Sequence, residues 1–112
     1  MKVGEDGAYE LRVGKSAADN DELVKAAKSH DLWLHAVGVT GSHIVIPARQ
    51  FKHGAPPALL IRAGAVLAVH HSRFKGDLAG EVYLTHRRCL RKKKGMPAGL
   101  WQIDKAETLF IR

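Results

Sequence analysis

The segment from residue 31 to residue 47 constrains the fold more than any other part of the chain. Residues 32–35 read Leu-Trp-Leu-His, and this period of two is typical of a half-buried β-strand. A turn is predicted directly after it, because residues 38–41 contain two glycines and glycine tolerates positive φ. The sequence therefore predicts a strand that ends in a glycine turn.

A second strand is predicted over residues 43–46, which read His-Ile-Val-Ile and are mostly apolar and β-branched. Pro47 ends this strand, because proline has no N–H group to donate to a sheet ladder. The resulting hairpin gathers polar side chains at one point: His35 closes the first strand, while Ser42 and His43 open the second. We expect these three side chains to line one shallow polar site.

Other alternating segments predict that this hairpin belongs to a larger sheet. The pattern as a whole indicates the α+β class, with a mixed, largely antiparallel sheet of about six or seven strands and two helices. The remaining predicted strands cover residues 7–13, 81–85, 89–92, 100–103 and 108–111.

The two helices are predicted on either side of the hairpin in the sequence. The first follows the acidic residues 19–22, where an Asx residue caps it, and it ends near residues 29–30. The second is alanine-rich and opens at the Pro-Pro pair of residues 56–57, since proline suits a first helical turn; it continues to about Ser72. Its apolar face, which we expect to pack on the sheet, consists of Leu60, Ala63, Gly64 and Leu67.

The charge of the chain points to a polyanionic partner. The formal net charge is +7, and it is unevenly distributed. Residues 1–31 carry five Lys or Arg against seven Asp or Glu, whereas residues 32–112 carry thirteen against four. Such an asymmetry indicates nucleic acid first and an acidic membrane second.

Much of this charge lies in one segment, residues 86–94, which we call the basic run. We expect it to form a hairpin that stands clear of the core, because its charges would project from both faces. Its Lys and Arg side chains suit phosphate oxygens. Two alternatives remain open, a solvated charged hairpin and a nuclear-localisation signal. In the first case, cations elsewhere become the candidate surface: Arg49, Lys52, Arg73 and Lys75. The basic side chains of the run are Arg87, Arg88, Arg91, Lys92, Lys93 and Lys94.

Composition excludes several protein classes. The single cysteine, Cys89, excludes an internal disulfide framework and suits a reducing compartment. No N-terminal apolar run is typical of a signal peptide. The longest apolar stretch, residues 55–69, contains Arg62 and is shorter than the roughly 20 residues that span a bilayer. We expect a soluble cytoplasmic protein of one domain, residues 1–112, without membrane association.

The chain has seven histidines, which raises the question of a metal site. No Cys-x-x-Cys or His-Glu-x-x-His pattern is present, so we expect neither a metal nor another cofactor. His35 and His43 could instead act as base and acid of a phosphodiester-cleaving enzyme. The simpler interpretation is that both rings donate hydrogen bonds to backbone or to a bound phosphate. Asn20 is interpreted either as a cap or turn residue or as an RNA contact, and Trp101 either as core or as a stacking surface.

One family resemblance runs through these segments. Asp31-Leu-Trp-Leu-His35 followed by Gly41-Ser42-His43 resembles the signature of the NFACT-R domain, which occurs in NEMF/RqcH-type factors of ribosome-associated quality control. The likeness continues upstream through residues 13–14 and 20–23, and downstream through His71-Ser72 to Gly99. Thr40 departs from the pattern, since the family usually has proline before Gly-Ser-His.

The resemblance implies an RNA-binding module rather than an enzyme. Its expected partners are tRNA or rRNA and the large ribosomal subunit. The family's other domains are expected to be absent here, so its tailing activity is not carried over, and a separate protein could supply them. A ribosome-associated adaptor that docks on ribosomal protein is a third alternative. The residues that match the motif, and are expected to bind RNA with the basic run, are Asp31, Trp33, His35, Gly41, Ser42 and His43.

Overall fold

The computed structural model describes residues 1–3, 7–51, 56–72 and 80–111. Its two helices are α1 (Ala17–Ala26) and α2 (Ala58–His70). Its strands are β1 (Lys2–Val3), β2 (Tyr9–Glu10), β3 (Arg12–Val13), β4 (Leu32–Ala36), β5 (Ile44–Ile46), β6 (Gly80–His86), β7 (Leu90–Arg91), β8 (Gln102–Ile103) and β9 (Glu107–Ile111).

The main sheet has five strands in the order β3-β5-β4-β6-β9, and every pairing in it is antiparallel. Two short ribbons, β1 with β2 and β7 with β8, accompany it. The α+β class predicted from the sequence is confirmed. The strand predicted over residues 7–13 is divided between β2 and β3 at Leu11, whose side chain is fully buried in the core.

Strand β4 is the centre of the sheet, and this position changes the prediction of a half-buried strand. Leu32 and Leu34 lie in the core on the α2 side, whereas Trp33 belongs to a second buried cluster on the other face. A central strand between β5 and β6 has no free edge, and elements cover both of its faces at this point. The alternation in the sequence therefore distinguishes two cores, and only His35 remains half-exposed.

Helix α2 packs closely on the first face of the sheet. A Cβ atom on Gly64 would lie 3.3 Å from Leu34 Cδ1 and 3.4 Å from Ile46 Cδ1, so glycine permits the approach. The apolar face is rotated slightly from the predicted one, because Ala63 and Leu67 are only partly buried. The buried residues of the helix are Leu60, Gly64, Ala65, Ala68 and Val69.

Helix α1 and the β7–β8 ribbon cover part of the second face. The core there consists of Val24, Trp33, Val45, Leu90 and Trp101. The predicted Asx cap is wrong: α1 begins at Ala17, before the predicted acidic residues, and its cap is Ser16, whose hydroxyl oxygen accepts from the Asp19 N–H at 3.1 Å. The helix also ends earlier than predicted, at Ala26.

The basic run does not form the predicted hairpin. Strand β6 pairs with β4 on one edge and β9 on the other, so a returning strand has no edge to join. The chain instead makes a 3₁₀ turn at Arg87–Cys89, and β7 pairs with β8. Leu90 is buried in the second core, which holds the run against the domain rather than clear of it.

Candidate nucleic-acid interface

His35 and His43 lie side by side on the second face of the sheet. Their ring centroids are 5.0 Å apart at an interplanar angle of 81°. Trp33 stacks on His35 with centroids 5.7 Å apart and an angle of 5°. The convergence follows from the register, because Leu34 pairs with Ile44 and each histidine is the next residue toward the turn.

His43 is buried, and its ring is hydrogen-bonded within the protein. The residue is only 3% exposed, and its Nδ1 atom accepts a hydrogen bond from Trp33 Nε1 at 3.1 Å. Burial, followed by the neighbouring His35, lowers the pKa of His43 to about 4. At neutral pH the ring is therefore uncharged and acts as a hydrogen-bond acceptor for the indole.

His35 is the more exposed member of the pair. It is half-buried, and burial lowers its pKa below the usual value, while backbone hydrogen bonding at Ala36 and Gly41 opposes the shift. The ring lines two open pockets that share Val39 and Thr40, and His43 lines the second of them. Of the two histidines, His35 is thus the more accessible to a ligand.

Asn20 holds the glycine turn in place. Its Oδ1 accepts from the His43 N–H at 3.1 Å, and its Nδ2 donates to the Gly41 carbonyl at 3.3 Å. Because Asn20 lies inside α1 and is buried, the cap interpretation is wrong. Gly14 makes room for it, since a Cβ atom there would lie 1.8 Å from Asn20 Oδ1.

The far side of the turn is held by the end of α2. The Ser42 N–H donates to the His71 carbonyl at 3.2 Å, and Gly41 forms an isolated β-bridge with Ser72. The His70 and His71 rings lie 5.0 Å apart beside this contact. The end of α2 thus brings His71 to the turn.

The turn opens onto a pocket of about 420 Å³. An adjoining pocket of about 650 Å³ shares Lys15, Ser42 and His71 with the first. An ammonium group, a hydroxyl and imidazole rings at exposed or half-exposed positions are suited to an oxyanion such as phosphate. We call this group the turn site; it consists of Lys15, His35, Gly41, Ser42 and His71.

Lys15 and His71 were not predicted as site residues. Each is isolated in the sequence from the glycine turn, and only contacts between distant segments bring them there. For His71 the available signal was its match to the family pattern at His71-Ser72; for Lys15 the sequence carries no comparable signal.

Two residues of the matching motif lie away from the turn site. Asp31 is buried at the opposite end of β4, where its carboxylate accepts from the N–H groups of Lys28 and Ala48, each at 2.9 Å. Trp33 is 3% exposed and donates to His43. Both residues are thus largely buried, although Trp33 lines one of the pockets that His35 lines.

The basic run is divided between internal and exposed side chains. Arg87 Nε donates to the Val24 carbonyl at 2.6 Å, and its guanidinium lies 5.0 Å from the centre of the Trp101 ring. Lys92 Nζ donates to the carbonyls of Pro97 at 2.6 Å and Leu100 at 2.8 Å. The exposed cations of the run are Arg88, Arg91, Lys93 and Lys94, of which Arg91 forms an ion pair with Asp104.

Asp21 anchors the basic run to the domain through its side-chain carboxylate. Its Oδ1 accepts from the Gly99 N–H at 2.9 Å, Trp101 Nε1 at 2.9 Å and Lys92 Nζ at 3.2 Å. Burial raises the pKa of Asp21, but these three donors outweigh it and lower the pKa below its usual value. Trp101 is accordingly part of the second core, which decides between its two interpretations.

Across the described residues no group of three or more His, Cys, Asp or Glu side chains is placed to hold a metal ion. Neither helix, within the same part of the chain, has the length and apolarity needed to cross a membrane. Of the alternative cations predicted from the sequence, Lys52, Arg73 and Lys75 lie outside the described residues, whereas Arg49 is exposed beside Ala48.

Comparison with known families decides the identity of the domain. The family model of the NFACT protein RNA binding domain matches residues 3–105. This chain belongs to the NFACT-R family. The resemblance noted from the sequence is thus confirmed, and with it membership in a family of RNA-binding domains.

Named relatives agree with this assignment. The NFACT-R domain is 30% identical to the Rqc2 homolog RqcH of Bacillus subtilis (strain 168) over 90% of this chain and 17% of that protein. It is 33% identical to the Rqc2 homolog RqcH of Streptococcus suis (strain 05ZYH33) over 95% of this chain and 19% of that protein. The chain therefore spans about a fifth of the length of these relatives.

A solved structure has the same fold. It is the C-terminal part of the fibronectin/fibrinogen-binding protein from Streptococcus suis, which matches this NFACT-R domain with a TM-score of 0.86 at 29% identity. The match covers 98% of this chain and 43% of the solved one. The arrangement of the sheet and helices described above is thus shared with an experimental structure.

Proposed function

We propose that this NFACT-R domain binds tRNA or rRNA at the turn site and acts in ribosome-associated quality control on the large ribosomal subunit. The observation that carries the proposal is the gathering of Lys15, His35, Ser42 and His71 around one open pocket in a domain of an RNA-binding family. The Rqc2 homologs among its relatives support the cellular setting.

In this proposal the motif residues divide the work. Gly41 and Ser42 approach the RNA backbone, with His35 beside them. Asp31, Trp33 and His43 position these groups through the hydrogen bonds described above. The exposed cations of the basic run add contacts to phosphates, which give affinity without choice of sequence.

We further propose that binding occurs without cleavage of the RNA. A two-histidine mechanism needs one ring as base and the other as acid, both within reach of the phosphodiester. His43 is buried, and its Nδ1 atom already accepts from the Trp33 indole. For an acid or base role, this ring would have to become more exposed.

The test is equilibrium binding of fluorescently labelled tRNA to the wild type and to His35→Ala/Ser42→Ala. A matched control is Lys25→Ala/Thr108→Ala, because both of these residues are exposed and outside the turn site. We expect the first variant to bind at least about tenfold more weakly, equivalent to roughly 1.4 kcal/mol, and the control to bind as the wild type does.

The same samples, run on a denaturing gel, test the proposal that binding occurs without cleavage of the RNA. Intact tRNA after incubation supports a binding module, whereas cleavage that is lost in His35→Ala would establish the enzyme. Equal affinities of the turn-site variant and the control would exclude the turn site. If the domain sediments with ribosomes but binds neither tRNA nor rRNA, the adaptor function replaces the proposal.

A further inference from the structure

A second cationic surface lies at the opposite end of the sheet from the turn site. We call it the basic end and define it by five exposed residues: Lys28, His30, Arg49, Arg88 and Lys105. They come from segments far apart in the sequence, namely the loop after α1, the 3₁₀ turn after β5, the turn after β6 and the loop before β9. The antiparallel order brings these segments to one edge, because β4 and β9 start where β5 and β6 end.

The basic end is continuous. Lys28, His30 and Arg49 line one pocket of about 360 Å³, and Arg88 and Lys105 line another of about 300 Å³. The two are joined by Arg88, whose Nη1 lies 3.0 Å from His30 Nδ1. One surface therefore carries several cations with room between them for a ligand.

Nearby carboxylates do not cancel this charge. Asp31 lines the first pocket, but it is buried and its carboxylate accepts from the N–H groups of Lys28 and Ala48. Glu107 lines the second pocket and faces His86. The four Lys and Arg side chains defined above outnumber these two carboxylates, so the surface suits an anion.

We propose that the basic end binds a second stretch of RNA phosphate backbone while the turn site holds the first. The inference rests on the proposed function, since it assumes that RNA is the ligand. Strand β4 separates the two surfaces, and its five residues span roughly 16 Å at about 3.3 Å each. One RNA that reaches both surfaces gains affinity, because the second contact becomes intramolecular.

The partner is RNA backbone rather than a particular base sequence. The basic end consists of guanidinium, ammonium and imidazole groups on exposed loops, which pair with phosphates. No Phe, Tyr or Trp ring for base stacking is among its defining side chains. The contribution of this surface is therefore expected to be independent of sequence and strongly dependent on salt.

The experiment compares Arg49→Gln/Lys105→Gln with the control Lys2→Gln/Arg62→Gln, which also removes two exposed charges but away from both surfaces. Each protein is titrated with single-stranded RNAs of increasing length and with tRNA at several salt concentrations. For tRNA we expect the plot of log K against log salt to flatten by about 1.4 to 1.8 in the first variant and not in the control. Its affinity should also stop rising with RNA length sooner than that of the wild type.

The outcomes separate this inference from the proposed function. If the variant and the control have equal salt slopes and equal dependences on RNA length, the inference is overturned. RNA binding by the wild type would in that case still support the proposed function at the turn site. Absence of RNA binding by the wild type would overturn both. Unchanged RNA binding together with lost binding to vesicles of phosphatidylserine and phosphatidylcholine would assign the basic end to an acidic membrane surface and overturn it as well.

Discussion

His43 connects the interior of the domain to the turn site through three neighbours. Its ring accepts a hydrogen bond from Trp33 and lies against His35, and its backbone N–H donates to Asn20. Protonation of Nδ1 would place an N–H group against the indole N–H. The neutral ring is therefore a condition for the local structure, and burial together with His35 favours it by lowering the pKa of His43 to about 4.

The lowered pKa of His43 makes the free energy of unfolding depend on pH. The pKa of His43 is about 4 in the folded state against 6.5 for an unperturbed histidine, so the unfolded state binds more protons between these values. We expect the contribution of His43, about 3 kcal/mol, to be complete above about pH 6.5 and to be lost as the pH falls toward 4.

Urea denaturation of the wild type across this pH range measures the effect. His43→Asn should weaken the dependence, whereas His70→Asn, which changes an exposed ring, should retain it. A free energy of unfolding that stays constant from about pH 7 to about pH 4 would contradict the role given to His43.

The contact between Gly14 and Asn20 is a second residue-scale feature that supports the site. We expect Gly14→Ala to lower the free energy of unfolding by roughly 1–3 kcal/mol, because the new Cβ atom would meet Asn20 Oδ1 at 1.8 Å. In an Asn20→Ala background the side-chain clash is absent, so the cost should be smaller. A double-mutant cycle by chemical denaturation tests this, and additive effects would exclude the contact as the cause.

At the scale of elements, the distance between α2 and the sheet is set by small residues. Gly64 faces Leu34, Ile44 and Ile46, and the buried alanines continue the same close contact. The packing matters for the site because α2 ends at the glycine turn, where the His71 carbonyl accepts from Ser42. A change in helix position would therefore move one wall of the pocket.

We expect Gly64→Leu to overpack this interface and to destabilise the domain by roughly 1–3 kcal/mol. The matched control is Val66→Leu, two residues along the same helix on its exposed side. Thermal unfolding followed by circular dichroism should show a lower Tm for the first variant alone. The same Tm in both variants would count against the contact between helix and sheet.

At the scale of the whole molecule, the positive charge is distributed over separate surfaces. The basic run crosses the second core, and its cations divide into those that hold the fold and those that face solvent. Lys92 illustrates the first kind, because its side chain is 21% exposed and bonds Asp21 and two carbonyls. A count of charges in the run therefore overstates the number available to a ligand.

Two variants of the run should behave differently. Replacing Arg91, Lys93 and Lys94 with glutamine should flatten the salt dependence of tRNA binding by roughly 2 to 3 if all three reach phosphates, and should leave the Tm nearly unchanged. Lys92→Gln should instead lower the Tm, because charged hydrogen bonds typically contribute about 1.5–3 kcal/mol. A salt slope in the triple variant equal to that of the wild type would show that these side chains are only solvated.

The sequence by itself was sufficient for the features that depend on neighbouring residues. Alternation and glycine predicted the β4–β5 hairpin, and apolar spacing predicted α2 close to its observed bounds. The family motif was readable for the same reason, since its residues stand within one hairpin. The prediction of helix α1 was less accurate, because its acidic residues suggested an N-cap at a place inside the helix, whereas Ser16 provides the actual N-cap.

The tertiary structure alone decided how the polar side chains are used. Asn20 holds a turn 21 residues away, and Lys92 contacts Asp21 at a separation of 71 residues. The basic end likewise unites loops that the sequence keeps apart, as does the turn site with Lys15 and His71. Local patterns determine which segments become strands or helices, but the roles of buried and exposed charges follow from burial and from pairing across the sheet, which are set only when distant segments pack together.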